Sequence, residues 1–455
     1  MSLTTVNPAT GETIQTYEVM SAGEVQTTIE QAATAQRAWS ETSFAERSER
    51  LRALAAILRE DRDRLATIIT TEMGKPITQA RAEVEKCALG CDYYAEHAET
   101  FLAPEVIETD ASRSYVAYRP LGVVLAIMPW NFPFWQVLRF AAPAFMAGNG
   151  ALLKHASNVT GCALAIEELF VRAGYPDNLF RTLRIRSDAV ESVLDYPSVA
   201  AATLTGSTEA GQSVAAAAGR RVKKTVLELG GSDPYVILED ADLDATVTAC
   251  ATGRLQNSGQ SCIAAKRFIV VEPVLETFTQ KLVDAFGAYR MGDPMAEQTT
   301  IGPLARADLR DGVHEQVARS IERGAELLLG GEIPEGNGAY YPPTILTNVQ
   351  KGMPAYDEEV FGPVAAIIAA KDEDDAIRIA NDTPYGLGAA VFTRDLARGE
   401  RIAVERLEAG NCFVNAFVKS DPRVPFGGVK ASGYGRELSI HGIREFVNAK
   451  TVYIA

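Results

Sequence analysis

One cysteine in this chain stands where a thiol could do chemistry. Cys262 follows Asn257, Ser258, Gly259, Gln260 and Ser261 and precedes Lys266 and Arg267. A cysteine kept for packing usually has apolar neighbours, and a small buried hydrophobe is the ordinary alternative at this position. A second residue is equally out of place. Glu228 interrupts the apolar run TVLELGG, where an uncompensated carboxylate would cost several kcal/mol. It reads either as a structural carboxylate bonded to backbone donors or as a general acid or base tuned by partial burial.

The other residues narrow the chemistry. Besides Cys262 the cysteines are Cys87, Cys91, Cys162, Cys250 and Cys412, with no C-x-x-C pair and no disulfide framework. There are four histidines, and His314 opens H-E-Q-V-A, which lacks the second histidine of a zinc helix, so no metal site is expected. A net charge of −15 argues against a nucleic-acid partner. The amino terminus shows no signal-peptide pattern, and apolar runs such as LGVVLAIMPW are too short for a bilayer. A cytoplasmic protein with no membrane partner is expected. No G-x-G-x-x-G follows a strand, and neither G-x-x-x-x-G-K-[ST] nor G-x-S-x-G occurs.

Elements must bring Cys262 and Glu228 together. At 455 residues, two or three domains are expected. Residues 24–40, 44–72 and 81–102 carry helical periodicity, with Gly74 and Pro76 as a stop between the second and third. From about residue 115, short β-type runs alternate with helices: strands at 121–129, 151–157, 199–207 and 223–231, helices at 134–148, 161–174 and 208–219. Such alternation implies a parallel sheet covered on both faces, with ligands at the carboxyl ends of its strands. The segments PWNFP, KHAS, TGSTEAG and LELGGSDP stand at four successive strand ends, as the rim of one site would. A second alternating segment begins near residue 232. The tail KTVYIA is a β-type run with no partner nearby in sequence, of the kind that often pairs with another subunit.

In this order and spacing, PWNFP, K-x-x-S, GST, LELGG, GQSC, EEVFGPV, NDTPYGL and PFGGVKASGYGRE resemble the aldehyde dehydrogenase superfamily from about residue 7 to 452. The resemblance implies an α/β fold with two parallel-sheet domains and a small β element for oligomerisation. Residues 1–104 and 119–229 would bind cofactor, 230–423 would form the catalytic domain, and 105–118 with 437–455 the oligomerisation element of a homodimer or homotetramer.

It also implies roles. Cys262 attacks an aldehyde, Glu228 activates the thiol or the hydrolytic water, and Asn131 with the Cys262 N–H holds the oxyanion. Trp130, Lys154, Ser157, Gly206, Ser207, Leu229, Glu359 and Phe361 correspond to the family's dinucleotide contacts. Ser157 is neutral and can donate, where a glutamate would favour NAD, so NADP is the expected cofactor with NAD tolerated. The family's succinate-semialdehyde members carry an arginine and a serine for the substrate carboxylate, matched here by Arg139 and Ser420, with Phe426 beside them. Gln256 departs from a second arginine found in several relatives, and His155 has no counterpart in the common motif. Succinate semialdehyde is the leading substrate. A broad aliphatic aldehyde dehydrogenase and an inactive structural member of the fold are the alternatives.

Overall fold

The computed structural model describes residues 2–455. Two open α/β sheets form its frame. The first has six strands in the spatial order Gly433–Tyr434, Lys224–Glu228, Val199–Thr205, Val123–Met128, Gly150–His155, Phe180–Thr182. All are parallel except Gly433–Tyr434. The middle strands are buried on both faces, which explains why they read as continuous apolar runs rather than alternating ones. Chain order runs outward in one direction from Val123–Met128 and in the other from Val199–Thr205. The topological switch point therefore lies between these two strands, and PWNFP and TGS leave their carboxyl ends there.

The second sheet has seven strands in the order Glu326–Leu329, Thr344–Thr347, Val364–Ala370, Ala265–Val271, Asp233–Ile237, Gly388–Phe392, Asn411–Val414. Only its edge strand Glu326–Leu329 is antiparallel. Separate apolar cores cover its two faces. The chain passes from first sheet to second through Leu229–Ser232, the LELGG turn.

The amino-terminal helices differ in one respect from their periodicity. Residues 44–72 form two helices, Phe44–Glu60 and Arg62–Met73, broken at Asp61. Aspartate is a poor helix former, and the Asp61 carboxylate is held instead by Arg64 and Arg172. Gly74 ends the second helix at φ 80°, where a Cβ would lie 2.9 Å from the Pro303 carbonyl. The next helix, Ile77–Phe101, starts four residues before its expected position at 81.

The carboxyl-terminal strand Val447–Ile454 finds its partner within the same chain. It runs antiparallel to Arg113–Pro120, which also pairs with Glu105–Val106. The partner lies too far away in sequence for local pattern to show it. Local pattern also did not single out the helices Val190–Asp195, Ala307–Glu322, Pro354–Asp357, Glu373–Asn381, Leu396–Glu405 and Ser439–Glu445, or an amino-terminal hairpin, Ser2–Val6 with Thr13–Glu18. Among the described residues no helix is long and apolar enough to cross a membrane.

Candidate active site

The polar turn before Cys262 is buried, and its polarity serves to fix the backbone. Asn257, Ser258 and Gly259 are consecutively left-handed, at φ 55°, 54° and 75°. Left-handed backbone is costly for the first two, so the surroundings must hold it. The Asn257 N–H donates to Gln79 Oε1 at 2.7 Å, and its side-chain amide donates to the carbonyls of Asn131 and Gln260. Ser258 Oγ bonds Gly302, and Gln260 Oε1 accepts from the Ala305 N–H at 2.8 Å. A Cβ on Gly259 would sit 2.3 Å from the Gly362 carbonyl, so only glycine fits. The buried Arg254 donates to the carbonyls of Gly259 and Gly362, and Lys266 donates to that of Cys262 at 2.6 Å. The result is a rigid loop carrying a partly exposed thiol.

Two cavities meet at that thiol. One, about 210 Å³, is lined by Trp130, Asn131, Gly206, Ser207, Glu228, Leu229, Cys262, Glu359 and Phe361, among others. The second, about 300 Å³, is lined by Lys86, Trp135, Arg139, Gln256, Cys262, Ser420 and Phe426, among others. Cys262 is the one residue common to both. Nine of the residues singled out in the sequence thus share the first cavity, and Arg139, Ser420 and Phe426 share the second.

The carboxyl ends of the first sheet supply Trp130, Asn131, Gly206 and Ser207, as the strand-end rule requires. The second sheet presents its opposite edge: Cys262 precedes Ala265–Val271, and Glu359 and Phe361 precede Val364–Ala370. The expectation of carboxyl strand ends therefore holds for one wall of the cleft only. The other wall is built from amino-terminal strand ends.

Burial pushes the Cys262 thiol up to about 12, opposed by the nearby positive charges of Lys266 and Arg139. The thiol is neutral near pH 7 unless a base or a bound cation assists. Glu228 is buried, and neither of its carboxylate oxygens has a hydrogen-bond partner. The structural alternative, a carboxylate held by backbone donors, is not what is observed. Burial first, and the neighbouring Glu437 second, raise its pKa well above the usual carboxylate range, while Arg139 and Arg436 pull the other way. Such a group binds a proton more tightly than a solvated carboxylate does, as suits a general acid or base.

Asn131 Nδ2 donates to the Gln260 carbonyl at 3.2 Å, which leaves its second amide hydrogen free. Among the described residues no group accepts from the Cys262 N–H. Two donors therefore remain available beside the thiol. The loop carrying Asn131 is held from behind by His155. Burial lowers this imidazole to about 4, so it is neutral. Its Nδ1 lies 3.1 Å from the Met128 carbonyl and its Nε2 2.9 Å from the Pro133 carbonyl, so the ring bridges the strand end and the loop. His155, unexplained by sequence, is a brace.

Glu359 Oε1 accepts from the Gly231 N–H at 3.0 Å and lies 3.4 Å from Lys266 Nζ. Phe361 meets Trp130 edge to face at 5.7 Å across the cavity. Ser207 caps the helix Thr208–Gly219, whose first turn opens at the rim. Lys154 and Ser157 are not in the cavity lining. They lie past it, at the end of Gly150–His155 and in the turn Ser157–Val159. Lys154 is buried with a single polar partner, Ser187 Oγ at 3.3 Å, and no counter-anion. A buried ammonium without an anion, a helix amino terminus and an aromatic-lined slot together fit an anionic dinucleotide. Ser187 had no signal in the sequence, because a lone serine in a loop carries none.

The guanidinium expected to meet a substrate carboxylate is already engaged. Arg139 is buried on the helix Trp135–Met146 and ion-paired with Glu437, with Phe426 under its face at 4.9 Å. That helix is positioned by the buried Lys75–Glu83 pair. Glu83 accepts from the N–H groups of Phe134 and Trp135 at 2.9 and 3.0 Å. Trp135 donates from Nε1 to Ser420 Oγ at 3.1 Å, and Lys86 Nζ donates to the same oxygen at 2.7 Å. Lys86 was not anticipated, since within AEVEKCAL it reads as an ordinary surface lysine. Among the described residues no group of three or more His, Cys, Asp or Glu is placed to hold a metal ion.

A thiol at the junction of a dinucleotide-shaped slot and a small polar cavity agrees with the comparisons to known proteins. The aldehyde dehydrogenase family matches residues 1–452, and the chain belongs to that family. Over full length it is 52% identical to a probable succinate-semialdehyde dehydrogenase [NADP(+)] of Synechocystis. It is 49% identical to the Escherichia coli succinate semialdehyde dehydrogenase [NAD(P)+] Sad, over 98% of this chain and 97% of that one. A succinic semialdehyde dehydrogenase structure from Streptococcus pyogenes, solved with NADP+, superposes with a TM-score of 0.97 at 40% identity, covering 99% of each chain.

Proposed function

We propose that this chain oxidises succinate semialdehyde to succinate through a thioester on Cys262, with NADP preferred and NAD accepted. The observation that carries the reading is that Cys262 alone borders both cavities, so a thiol-bound substrate faces a cofactor on one side and a carboxylate-sized cleft on the other. Relatives of about half identity named for this reaction support the substrate and cofactor over a broad aliphatic or inactive reading.

Trp130, Gly206, Ser207, Leu229, Glu359 and Phe361 would hold the nicotinamide half of the dinucleotide, and Lys154 with Ser157 the adenosine ribose. The bound cofactor supplies the hydride acceptor that turns a tetrahedral thiol adduct into a thioester. The chain's own groups do the rest. The Cys262 thiolate adds to the aldehyde carbon, and Asn131 Nδ2 with the Cys262 N–H stabilises the resulting oxyanion. Lys266 and Arg139 favour the thiolate against burial. Glu228 takes a proton from the thiol or later from water, whose oxygen attacks the thioester carbonyl and releases succinate and the thiol.

All six cysteines are free, which suits a reducing compartment and the cytoplasmic placement read from the sequence. The small sheet exposes Val106, Ile107, Tyr453 and Ile454, and we assign to it the contact of a homodimer or homotetramer. Residues 1–104 and 119–229 serve the cofactor and 230–423 the catalytic side.

The test is NADPH formation, followed by absorbance, with succinate semialdehyde and with butanal in wild type and Cys262→Ala. The wild type should favour succinate semialdehyde, and Cys262→Ala should lose activity while still binding NADP. Retention of a tenth of the turnover would sink the nucleophile assignment.

A further inference from the structure

We infer that Lys86 is the positive charge that selects a carboxylate-bearing aldehyde, clamping the carboxylate together with the Ser420 hydroxyl, while Arg139 serves the catalytic pair instead. The inference rests on the reading above that the substrate is a short ω-carboxy aldehyde.

Four charged side chains border the substrate cavity, Lys86, Arg139, Lys419 and Asp421, and they differ in what already compensates them. Arg139 is neutralised by Glu437. Asp421 is held by Arg423 at 2.6 Å. Lys86 has no carboxylate within ion-pair distance among the described residues. Its contacts are the Ser420 hydroxyl at 2.7 Å and the face of Trp135 at 4.4 Å. Of the two lysines here without a carboxylate partner, Lys86 and Lys419, it is the more enclosed, and so the cation whose charge a ligand would feel most strongly. Lys419 also borders the cavity, with its Nζ 6.0 Å from the Phe417 ring centroid, and its side chain is more exposed than that of Lys86.

Ser420 completes the clamp. Its oxygen accepts from both Lys86 Nζ and Trp135 Nε1, so its own hydrogen must point elsewhere, and no protein acceptor takes it. A hydroxyl hydrogen and an ammonium side by side, backed by an indole, form a donor pair suited to one carboxylate. This also accounts for Gln256. The charge that several relatives place six residues before the cysteine is here supplied from the helix Ile77–Phe101 on another wall.

Burial lowers Lys86 to about 8, helped by Arg139 and opposed by Cys87, Glu83 and Asp421. Lys86 is thus charged at neutral pH and loses its proton above about 8. The groups facing it are Arg139, Lys419, Asp421 and the Ser420–Trp135 pair across the cavity, and Glu83 and Cys87 on its own helix.

The experiment measures kcat and KM for succinate semialdehyde and for butanal in wild type, Lys86→Met and Lys86→Arg, with saturating NADP. Lys86→Met should lower the ratio of kcat/KM for succinate semialdehyde over butanal by roughly ten- to a hundredfold, mainly through KM, and Lys86→Arg should restore most of it. In wild type, KM for succinate semialdehyde should climb above pH 8 while that for butanal does not, an arm that needs no variant to fold. If wild type prefers succinate semialdehyde but Lys86→Met keeps the ratio, or if KM is flat across that pH range, the inference fails and the substrate reading stands. If wild type shows no preference, the substrate reading itself fails.

Discussion

Replacing Arg139 with methionine separates two roles that sequence resemblance merges. In the structure Arg139 and Glu437 form an ion pair with side chains only 2% and 5% exposed. Removing one member of a buried pair leaves the other charge uncompensated, at a cost of about 3–5 kcal/mol. The same guanidinium opposes the upward shifts of both Glu228 and Cys262. Arg139→Met should therefore make both groups harder to ionise and slow turnover of every aldehyde, moving the pH profile of kcat/KM to the alkaline side. Urea denaturation measures the first effect, and kinetics with succinate semialdehyde and butanal across pH measures the second. Adding Glu437→Gln should recover most of the lost stability, since the stranded charge is then gone. A single variant within about 1 kcal/mol of wild type, with a loss confined to succinate semialdehyde, would refute this reasoning and make Arg139 the direct carboxylate ligand.

Three further outcomes are expected. Glu228→Gln should allow one rapid turnover of NADP and then stall; stopped-flow traces with no burst and an unchanged steady rate would leave Glu228 without a role in hydrolysis. Asn131→Ala should cost about 3–4 kcal/mol of barrier, read as kcat at saturating substrate, because one of two oxyanion donors is lost. Ser157→Glu should shift preference from NADP towards NAD, because a carboxylate about 5 Å from a 2′-phosphate charge at an effective dielectric near 20 costs roughly 3 kcal/mol per charge pair. An unchanged ratio of kcat/KM for the two cofactors would mean that Ser157 does not face the ribose.

The frame of the site was legible because its signals are local. Apolar runs of six or seven residues ending in PWNFP, KHAS and TGS mark buried parallel strands and their rims, and the switch point follows from their order. Cys262 and Glu228 stood out because each breaks the polarity pattern around it. What stayed hidden depends on distant partners. The polar turn at 257–261 looks exposed in sequence, yet it is buried and bonded to Gln79, Gly302 and Ala305. Lys86 becomes a site residue only by meeting Ser420, which is 334 positions away. Likewise Arg139 changes meaning once Glu437 folds against it, and His155 once the Pro133 carbonyl arrives at its ring. Asp61 divides a helix that periodicity alone cannot divide.

The central claim is that Cys262 carries the acyl group, and trapping that group tests it most directly. Glu228→Gln enzyme would be mixed with succinate semialdehyde and NADP, quenched in acid within the first turnover, digested and analysed by mass spectrometry. The account predicts a succinyl thioester on the peptide containing Cys262, formed in step with the burst of NADPH. A burst without that adduct, or an adduct on any of the other five cysteines, would contradict it.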